Sequence, residues 1–235
     1  IFNDAAPSYF YKTIGGDHAA KLKRYQDLIE RQISPELRKL NEGFDNTPVL
    51  NMLNMKYVIF GKEANAIAQN TYSMGNAWFV NKIIEVNNAD EEIEALTGFN
   101  PGSEVVIDKR FKELYSSWSQ SFDSSGSITL TSYEPEQLAY DYNSSTDQLV
   151  VFSEIYYHGN KDWIAYIDGV EQKHFRVNYV LRGLVVPAGK HKIEFKFKPQ
   201  VYYIGERISL AGSSIIVILL LVYFGKSFRK PKEVA

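Results

Sequence analysis

An uncharged stretch near the C-terminus constrains the fold of this chain more than any other feature. Residues 208–225, ISLAGSSIIVILLLVYFG, contain no charged residue and lie between Arg207 and Lys226. A helix of about 18 to 20 such residues is long enough to cross the hydrocarbon core of a bilayer. A fully buried soluble helix is the alternative, but the apolar run from Ile215 to Phe224 leaves no polar face. We therefore predict a transmembrane helix over residues 207–225.

Charged residues on either side of this span predict its orientation. The tail, residues 226–235, contains four bases and one acid, whereas Glu206 and Arg207 precede the span. By the positive-inside rule, the tail is expected in the cytoplasm and residues 1 to about 206 outside it. The sequence starts at Ile1 without a recognisable signal peptide. We therefore expect the end of a longer polytopic protein, whose upstream helices carry the outer part across the membrane.

Composition excludes several classes of function. The chain has no cysteine, which rules out disulfides, thiolate zinc sites and cysteine nucleophiles, and its four histidines are far apart, so no metal site is predicted. The formal net charge is -2, and the bases of the tail mean that the rest of the chain is more acidic still. The sequence therefore predicts no nucleic-acid-binding surface. The motifs of serine hydrolases, zinc proteases, P-loop proteins and dinucleotide-binding proteins are missing. We predict no catalytic residue and no cofactor in this chain.

Residues 1–115 are predicted to form a mixed α/β region. Asp17 is the expected N-cap of a helix whose apolar positions recur at helical spacing. Ser34 and Pro35 are expected to start a second helix, because proline is favoured at the first helical position. Further along, helices are predicted in TPVLNMLN and ADEEIEAL, and strands in KYVIFG, GNAWFVNKIIEV and SEVVID.

Residues 127–203 are predicted to form an antiparallel β-sandwich, jelly-roll-like in pattern, which makes the fold class α+β. From about Ser127 apolar and polar residues alternate with a period of two. Asp168 and Gly169 are a strong signal for a tight hairpin turn, and a second hairpin is expected around residues 187–189. The serine-rich segment 116–127 is either a linker or a loop within one domain.

Two groups of residues are candidate binding residues. The first consists of basic side chains around Gly15 and Gly16, which are expected to meet a lipid phosphate or anionic headgroups unless they only line the solvated face of a helix. The second consists of two tryptophans, which would stack on sugar rings unless they belong to the core. The basic residues are Lys12, His18, Lys21 and Arg24, and the tryptophans are Trp78 and Trp163.

Several stretches, in the same order over nearly the whole chain, resemble the C-terminal region of bacterial YfhO-type membrane proteins. A hydrophobic span follows the last of them. The stretches are SYFYKTIGGDHAAKLKRYQDLIE, NTPVLNMLNMKYVIF, GNAWFV, GFNPGSEVVIDKRF and VNYVLRGLVVPAGKHKIEFKFKP.

This resemblance implies a polytopic GT-C-like glycosyltransferase of the bacterial cytoplasmic membrane. Such an enzyme uses a polyprenyl-phosphate-linked sugar to modify a cell-envelope glycopolymer or lipid outside the cytoplasm. The implied partners of this region are the bilayer, the upstream transmembrane helices, the lipid-linked sugar and the envelope glycan. In such enzymes the catalytic carboxylate usually lies in an early outer loop, so no catalytic residue is carried over. The alternatives are a membrane-anchored carbohydrate-binding or interaction module without catalysis, and a scaffold for the transmembrane bundle.

Overall fold

The computed structural model describes residues 2, 4–16, 21–61, 63, 66–157 and 159–228. The chain forms two compact units, Ile1–Phe197 and Lys198–Ala235. The helices are α1 (Ala6–Phe10), α2 (Lys23–Leu28), α3 (Ser34–Arg38), α4 (Pro48–Met52), α5 (Ala89–Glu94), α6 (Lys112–Tyr115) and α7 (Gln200–Phe228), with a π-helical turn at Ile29–Ile33 and 3₁₀ turns at Leu40–Glu42, Lys109–Phe111 and Gly159–Lys161.

In the described residues of the first unit, the strands form four sheets. Two of the sheets are small, the antiparallel pair β1–β2 and the parallel pair β4–β5. The strands are β1 (Tyr57–Ile59), β2 (Ile67–Gln69), β3 (Ala77–Val80), β4 (Lys82–Val86), β5 (Glu104–Asp108), β6 (Ser127–Glu134), β7 (Gln137–Ser144), β8 (Gln148–Ile155), β9 (Trp163–Ile167), β10 (Val170–Gln172), β11 (Phe175–Val177), β12 (Leu181–Val186) and β13 (Gly189–Phe197).

The first long helix differs from the prediction at both of its expected boundaries. It begins at Lys23, and the preceding residues 21–22 are not helical, so the prediction of Asp17 as its N-cap is wrong; Asp17 itself lies outside the described residues. The predicted second helix is present as α3, which begins at Ser34, but Ser34 does not cap it, because α2, the π turn and α3 run on without interruption. In the π turn the Ser34 N–H donates to the Ile29 carbonyl. This wider turn makes room for Pro35, whose ring would clash inside a regular helix.

A small α/β unit follows, built from β4, α5 and β5. The two strands are parallel and α5 forms the connection between them. The predicted helix at ADEEIEAL is confirmed, and Asn88 caps it by accepting a hydrogen bond from the Glu91 N–H at 2.9 Å. The run predicted as one strand, GNAWFVNKIIEV, is divided into β3 and β4 at Asn81.

The remaining strands form a two-sheet sandwich. One sheet has the order β10-β9-β13-β7-β6 and the other β11-β12-β8-β3. Between them Tyr140, Phe152 and Phe195 pack edge to face, with ring centroids 4.9 to 6.3 Å apart. The opposite face of the four-stranded sheet packs on the helical part through residues such as Trp78 and Val151. The predicted fold class, α+β with an antiparallel sandwich, is confirmed.

One predicted hairpin is confirmed and one is wrong. Asp168 and Gly169 both have positive φ and join β9 to β10. The expected hairpin around residues 187–189 does not form, because β12 pairs with β8 and β11 whereas β13 pairs with β7 and β9. The chain crosses here from one sheet to the other. Leu184 and Ile193 are therefore buried in the same core from opposite sheets, which a hairpin in one sheet would not allow.

The serine-rich segment 116–127 packs against the sandwich. Trp118 is 5% exposed, and its Nε1 donates to the carbonyl of Asp147 at 3.1 Å. Asp123 accepts hydrogen bonds from the backbone N–H and the hydroxyl of Ser145 at 2.6 and 2.7 Å. Strand β3, from the first part of the chain, pairs with β8 in the sandwich. Residues on both sides of this segment therefore belong to the same compact unit.

The C-terminal unit contains α7. Among the residues that the structure describes, Gln200–Lys226 is the helical stretch long and apolar enough to cross a membrane, with a mean hydropathy of 2.3. The helix begins before the predicted start of the span at residue 207 and includes Glu206 and Arg207. The prediction of a C-terminal helix able to span a membrane is confirmed.

Candidate functional site

One end of the sandwich carries charged side chains on two of its paired strands. In β12, Arg182 alternates with the core residues Leu184 and Val186 and pairs with Phe152. Glu154 follows Phe152 by two residues in β8, where the pairing with β12 becomes irregular, and its charge interacts with that of Arg182. Both charged residues are close to the end of their strands, where the apolar core stops.

Two tyrosines of the facing sheet complete this group. Tyr140 belongs to the sandwich core, and Tyr133 lies directly opposite the core residue Leu138. We call the four residues Tyr133, Tyr140, Glu154 and Arg182 the sandwich mouth.

The Arg182 guanidinium is buried between aromatic rings. The residue is 2% exposed, and its Cζ lies 4.4 Å from the ring centroid of Trp163 and 5.2 Å from that of Phe195. Nε donates to the carbonyl of Ile155 at 3.0 Å. Nη1 is buried and has no hydrogen-bond partner among the described residues. Burial lowers the pKa of Arg182 to about 10, so the side chain remains positively charged at neutral pH.

The hydroxyl of Tyr140 is a second buried polar group at the mouth. The residue has no exposed surface, and no described group forms a hydrogen bond with its hydroxyl oxygen. Burial raises the pKa of Tyr140 above the usual value for a tyrosine, so the hydroxyl keeps its proton at neutral pH. A buried polar atom without a partner is uncommon in folded proteins and requires a physical explanation.

The charges at the mouth partly compensate one another. Glu154 is half-buried, and burial raises its pKa, while the positive charges of Arg182 and Lys12 act in the opposite direction. Burial and the negative charge of Glu154 raise the pKa of Tyr133. With Glu154 ionised, two cations face one carboxylate.

An open groove of about 520 Å³ lies beside the mouth, between Tyr133 and the N-terminal residues 8–13 with Gly15. Lys12 Nζ is 3.1 Å from the ring centroid of Tyr133, which is a cation–π contact. The other aromatic residues that line the groove are strongly exposed, namely Tyr9, Phe10 and Tyr11 at 84%, 79% and 67%.

The structure brings two of the predicted binding residues to this place. Lys12 contacts Tyr133, and Trp163 packs against Arg182. Trp78 lies elsewhere: it is 7% exposed, and its Nε1 donates to the carbonyl of Pro101 at 2.7 Å. Trp78 is therefore a core residue, as the alternative interpretation of the sequence expected.

The other predicted basic residues lie away from the mouth or outside the described part. Arg24 donates to the buried carboxylate of Glu92 at 3.0 Å and to the carbonyl of Tyr179 at 3.2 Å. Lys21 Nζ lies 6.0 Å from the ring centroid of Phe2. His18 lies outside the described residues.

Sequence reasoning missed the four mouth residues, although a signal for the two charged ones is present. In LRGLVV, Arg182 alternates with the same spacing as the apolar residues Leu184 and Val186. In LVVFSEI, Glu154 stands two positions after Phe152. A charged residue is unusual where the alternating pattern of a strand expects an apolar one, and it indicates a polar site between the packed sheets. Within the described ranges, no group of three or more His, Asp or Glu side chains is placed to hold a metal ion.

A family model described as bacterial membrane protein YfhO matches residues 112–209. The match supports the predicted resemblance to the C-terminal region of the YfhO family and the association of the chain with a membrane. The matched residues include all four mouth residues and Trp163. Lys12 and the rest of the N-terminal side of the groove precede the matched residues. No curated protein matches the chain, and no solved structure matches it either.

Proposed function

We propose that this chain is the C-terminal part of a polytopic membrane glycosyltransferase, in which the groove and the sandwich mouth position the acceptor or the donor. The donor is a polyprenyl-phosphate-linked sugar, and the product is a modified cell-envelope glycopolymer or lipid. The observation that carries the proposal is the groove of exposed aromatic rings beside a mouth that contains a buried arginine and a carboxylate. The YfhO match and the helix able to span a membrane support the membrane context.

The groups around the groove suit a carbohydrate. Sugar rings present C–H faces that pack on aromatic side chains, and hydroxyls that need a few well-placed polar partners. Tyr11 and Tyr133 provide aromatic faces at the groove, and Glu154 and Arg182 provide an acceptor and a donor beside it. Lys12 provides a cation for the phosphate of a lipid-linked donor.

The proposal includes a topology. Residues 1 to about 206 lie outside the cytoplasm, α7 crosses the cytoplasmic membrane, and the basic tail lies in the cytoplasm. Upstream transmembrane helices of the same protein carry the catalytic carboxylate. This part then contributes binding and orientation, which raise the rate by holding the reactants in position.

The experiment compares two pairs of exposed residues in the natural full-length protein. Tyr11→Ala with Lys12→Ala alters the groove, whereas Tyr57→Ala with Lys56→Ala removes a similarly exposed pair from strand β1 and the residue before it. We expect the groove variant to lower envelope glycosylation about tenfold, which corresponds to about 1.4 kcal/mol of lost interaction. The control variant should retain it, and both proteins should reach the membrane in equal amounts. Unchanged glycosylation in the groove variant would refute the proposal.

A second candidate function is a membrane-anchored carbohydrate-binding module without catalysis. The observation that favours it is that the groove and the mouth offer aromatic rings and hydrogen-bonding groups to a sugar ring, and these groups bind a sugar whether or not the protein carries out catalysis. Under this alternative, the groove variant binds glycan less tightly while envelope glycosylation stays unchanged.

A further inference from the structure

Two buried polar atoms at the mouth have no partner within the described part of the chain. They are Nη1 of Arg182 and the hydroxyl oxygen of Tyr140. Leaving such groups unpaired costs stability, because each has given up its hydrogen bonds to water. Replacing Tyr140 by phenylalanine would keep the edge-to-face contact with Phe152 and remove this penalty. The packing of the core therefore does not explain the hydroxyl.

The available hydrogen-bonding roles match adjacent hydroxyl groups. Arg182 Nη1 only donates, the Glu154 carboxylate only accepts when ionised, and the hydroxyl of Tyr140 does both. The hydroxyls of a sugar ring also donate and accept, so two neighbouring ones can take a hydrogen bond from Arg182 and give one to Glu154. A phosphate would meet repulsion from Glu154, whose charge offsets part of the charge of Lys12 and Arg182.

We infer that the sandwich mouth is a binding site for a neutral sugar ring, which bonds to Arg182, Tyr140 and Glu154 through adjacent hydroxyls. This inference deepens the proposed function and takes from it the expectation that the ligand is a saccharide. It assigns the sugar ring, rather than the lipid phosphate, to the interior of the mouth.

Entry of the ring requires side chains at the mouth to move, because Arg182 and Tyr140 are 2% and 0% exposed. Lys12 covers the face of Tyr133 at the edge of the groove. Helix α1 next to Lys12 has no buried residue, and the chain has positive φ at Gly16. Helix α1 therefore adds no buried contact that would hold the segment beside the groove in place.

The test uses two tyrosines that alternate on strand β7. Tyr140 is the unpartnered one, whereas the hydroxyl of the equally buried Tyr142 contacts the carbonyls of Thr146 and Val186 at 3.3 and 3.4 Å. The full-length protein in nanodiscs is titrated with methyl α-glucoside, methyl α-galactoside and methyl α-mannoside, and separately with inorganic phosphate. Binding is followed by tryptophan fluorescence, since Trp163 contacts Arg182.

We expect at least one methyl glycoside to bind to the natural protein, and Tyr140→Phe to weaken that binding about tenfold, the effect of one lost hydrogen bond. The same variant should keep or raise the melting temperature. Tyr142→Phe should lower the melting temperature and leave glycoside affinity unchanged. Glu154→Gln should weaken glycoside binding and tighten phosphate binding.

The inference is overturned if none of the glycosides binds, if Tyr140→Phe leaves glycoside affinity unchanged, or if phosphate binds to the natural protein more tightly than every glycoside. Its failure is distinguishable from that of the proposed function. If glycoside binding depends on Tyr140 but the groove variant glycosylates normally, the sugar site is supported and the transferase role is refuted. If the groove variant loses glycosylation but the natural protein binds no glycoside, the sugar site is refuted and the transferase role is supported.

Discussion

Arg24 Nη1 lies 3.0 Å from Oε2 of Glu92, a carboxylate whose side chain has no exposed surface. The same nitrogen donates to the carbonyl of Tyr179, and the backbone N–H of Tyr179 donates to the other carboxylate oxygen at 3.1 Å. Tyr179 has a positive φ of 71° in the turn after β11. One buried carboxylate therefore joins α2, α5 and this turn, and Arg24 holds it in place.

Replacing Arg24 by alanine is expected to lower the free energy of unfolding by about 2 to 4 kcal/mol, because a buried carboxylate that loses a partner keeps its desolvation cost. Arg176 remains 3.4 Å from Glu92 and limits the loss. Arg31→Ala is the control, since the ion pairs of Arg31 are exposed and its loss should change little. Urea unfolding followed by tryptophan fluorescence measures both. Equal losses would contradict a structural role for the buried pair.

Glu36 is expected to make stability depend on pH. It is 7% exposed and accepts hydrogen bonds from the backbone N–H groups of Val49 and Leu50, both at 2.9 Å, and burial raises its pKa from 4.5 to about 7. Since the folded state holds the proton more tightly, the stabilising contribution is complete below about pH 4.5 and is lost as the pH rises toward 7.

The test compares the natural protein with Glu36→Gln, which does not titrate at this position. The free energy of unfolding of the variant should rise relative to the natural protein by about 3 kcal/mol between pH 4.5 and 7.5. Comparing the two proteins at each pH cancels the contributions of other titrating groups. A difference that stays constant over this range would show that Glu36 keeps its ordinary pKa in the fold.

Asp168 and His191 form a second pH-sensitive contact, at 2.6 Å between Oδ2 and Nδ1. This hydrogen bond raises the pKa of His191, so its contribution is complete below about pH 6.5 and is lost as the pH rises through the raised value. Asp168→Asn removes the charge and suits the φ of 50° at this turn position. Titration by NMR should show the pKa of His191 falling toward 6.5 in the variant; an unchanged value would contradict the contact.

Features that depend on neighbouring residues could be predicted from the sequence. The turn at Asp168 and Gly169 follows from their tolerance of positive φ, and the helix able to span a membrane follows from an uncharged run. The continuity of the first helix could not be predicted from Ser34 and Pro35. Their local preference for a helix start was overridden by burial of Leu28 and Ile33, which a single helix places together in the core.

Features that depend on pairing between distant strands could not be predicted in the same way. The segment around Pro187 has the residues of a hairpin turn, yet it connects two sheets, because β12 and β13 each find partners elsewhere. The mouth depends on this crossing. Arg182 comes from one sheet and Tyr140 from the other, so neither residue indicates the site without knowledge of which strands face each other.

The proposed sidedness can be tested by introducing single cysteines, since the chain contains none. Ser117 is exposed in the first unit, and Lys230 belongs to the basic tail that follows the helix in the sequence. If the tail is cytoplasmic, Ser117→Cys in spheroplasts should react with a membrane-impermeant maleimide, whereas Lys230→Cys should react only after detergent is added. Full reaction of both in detergent controls for accessibility of the thiols. The reverse pattern would place the groove in the cytoplasm, where the proposed outer-surface acceptor is not present, and would refute the topology on which the proposed function depends.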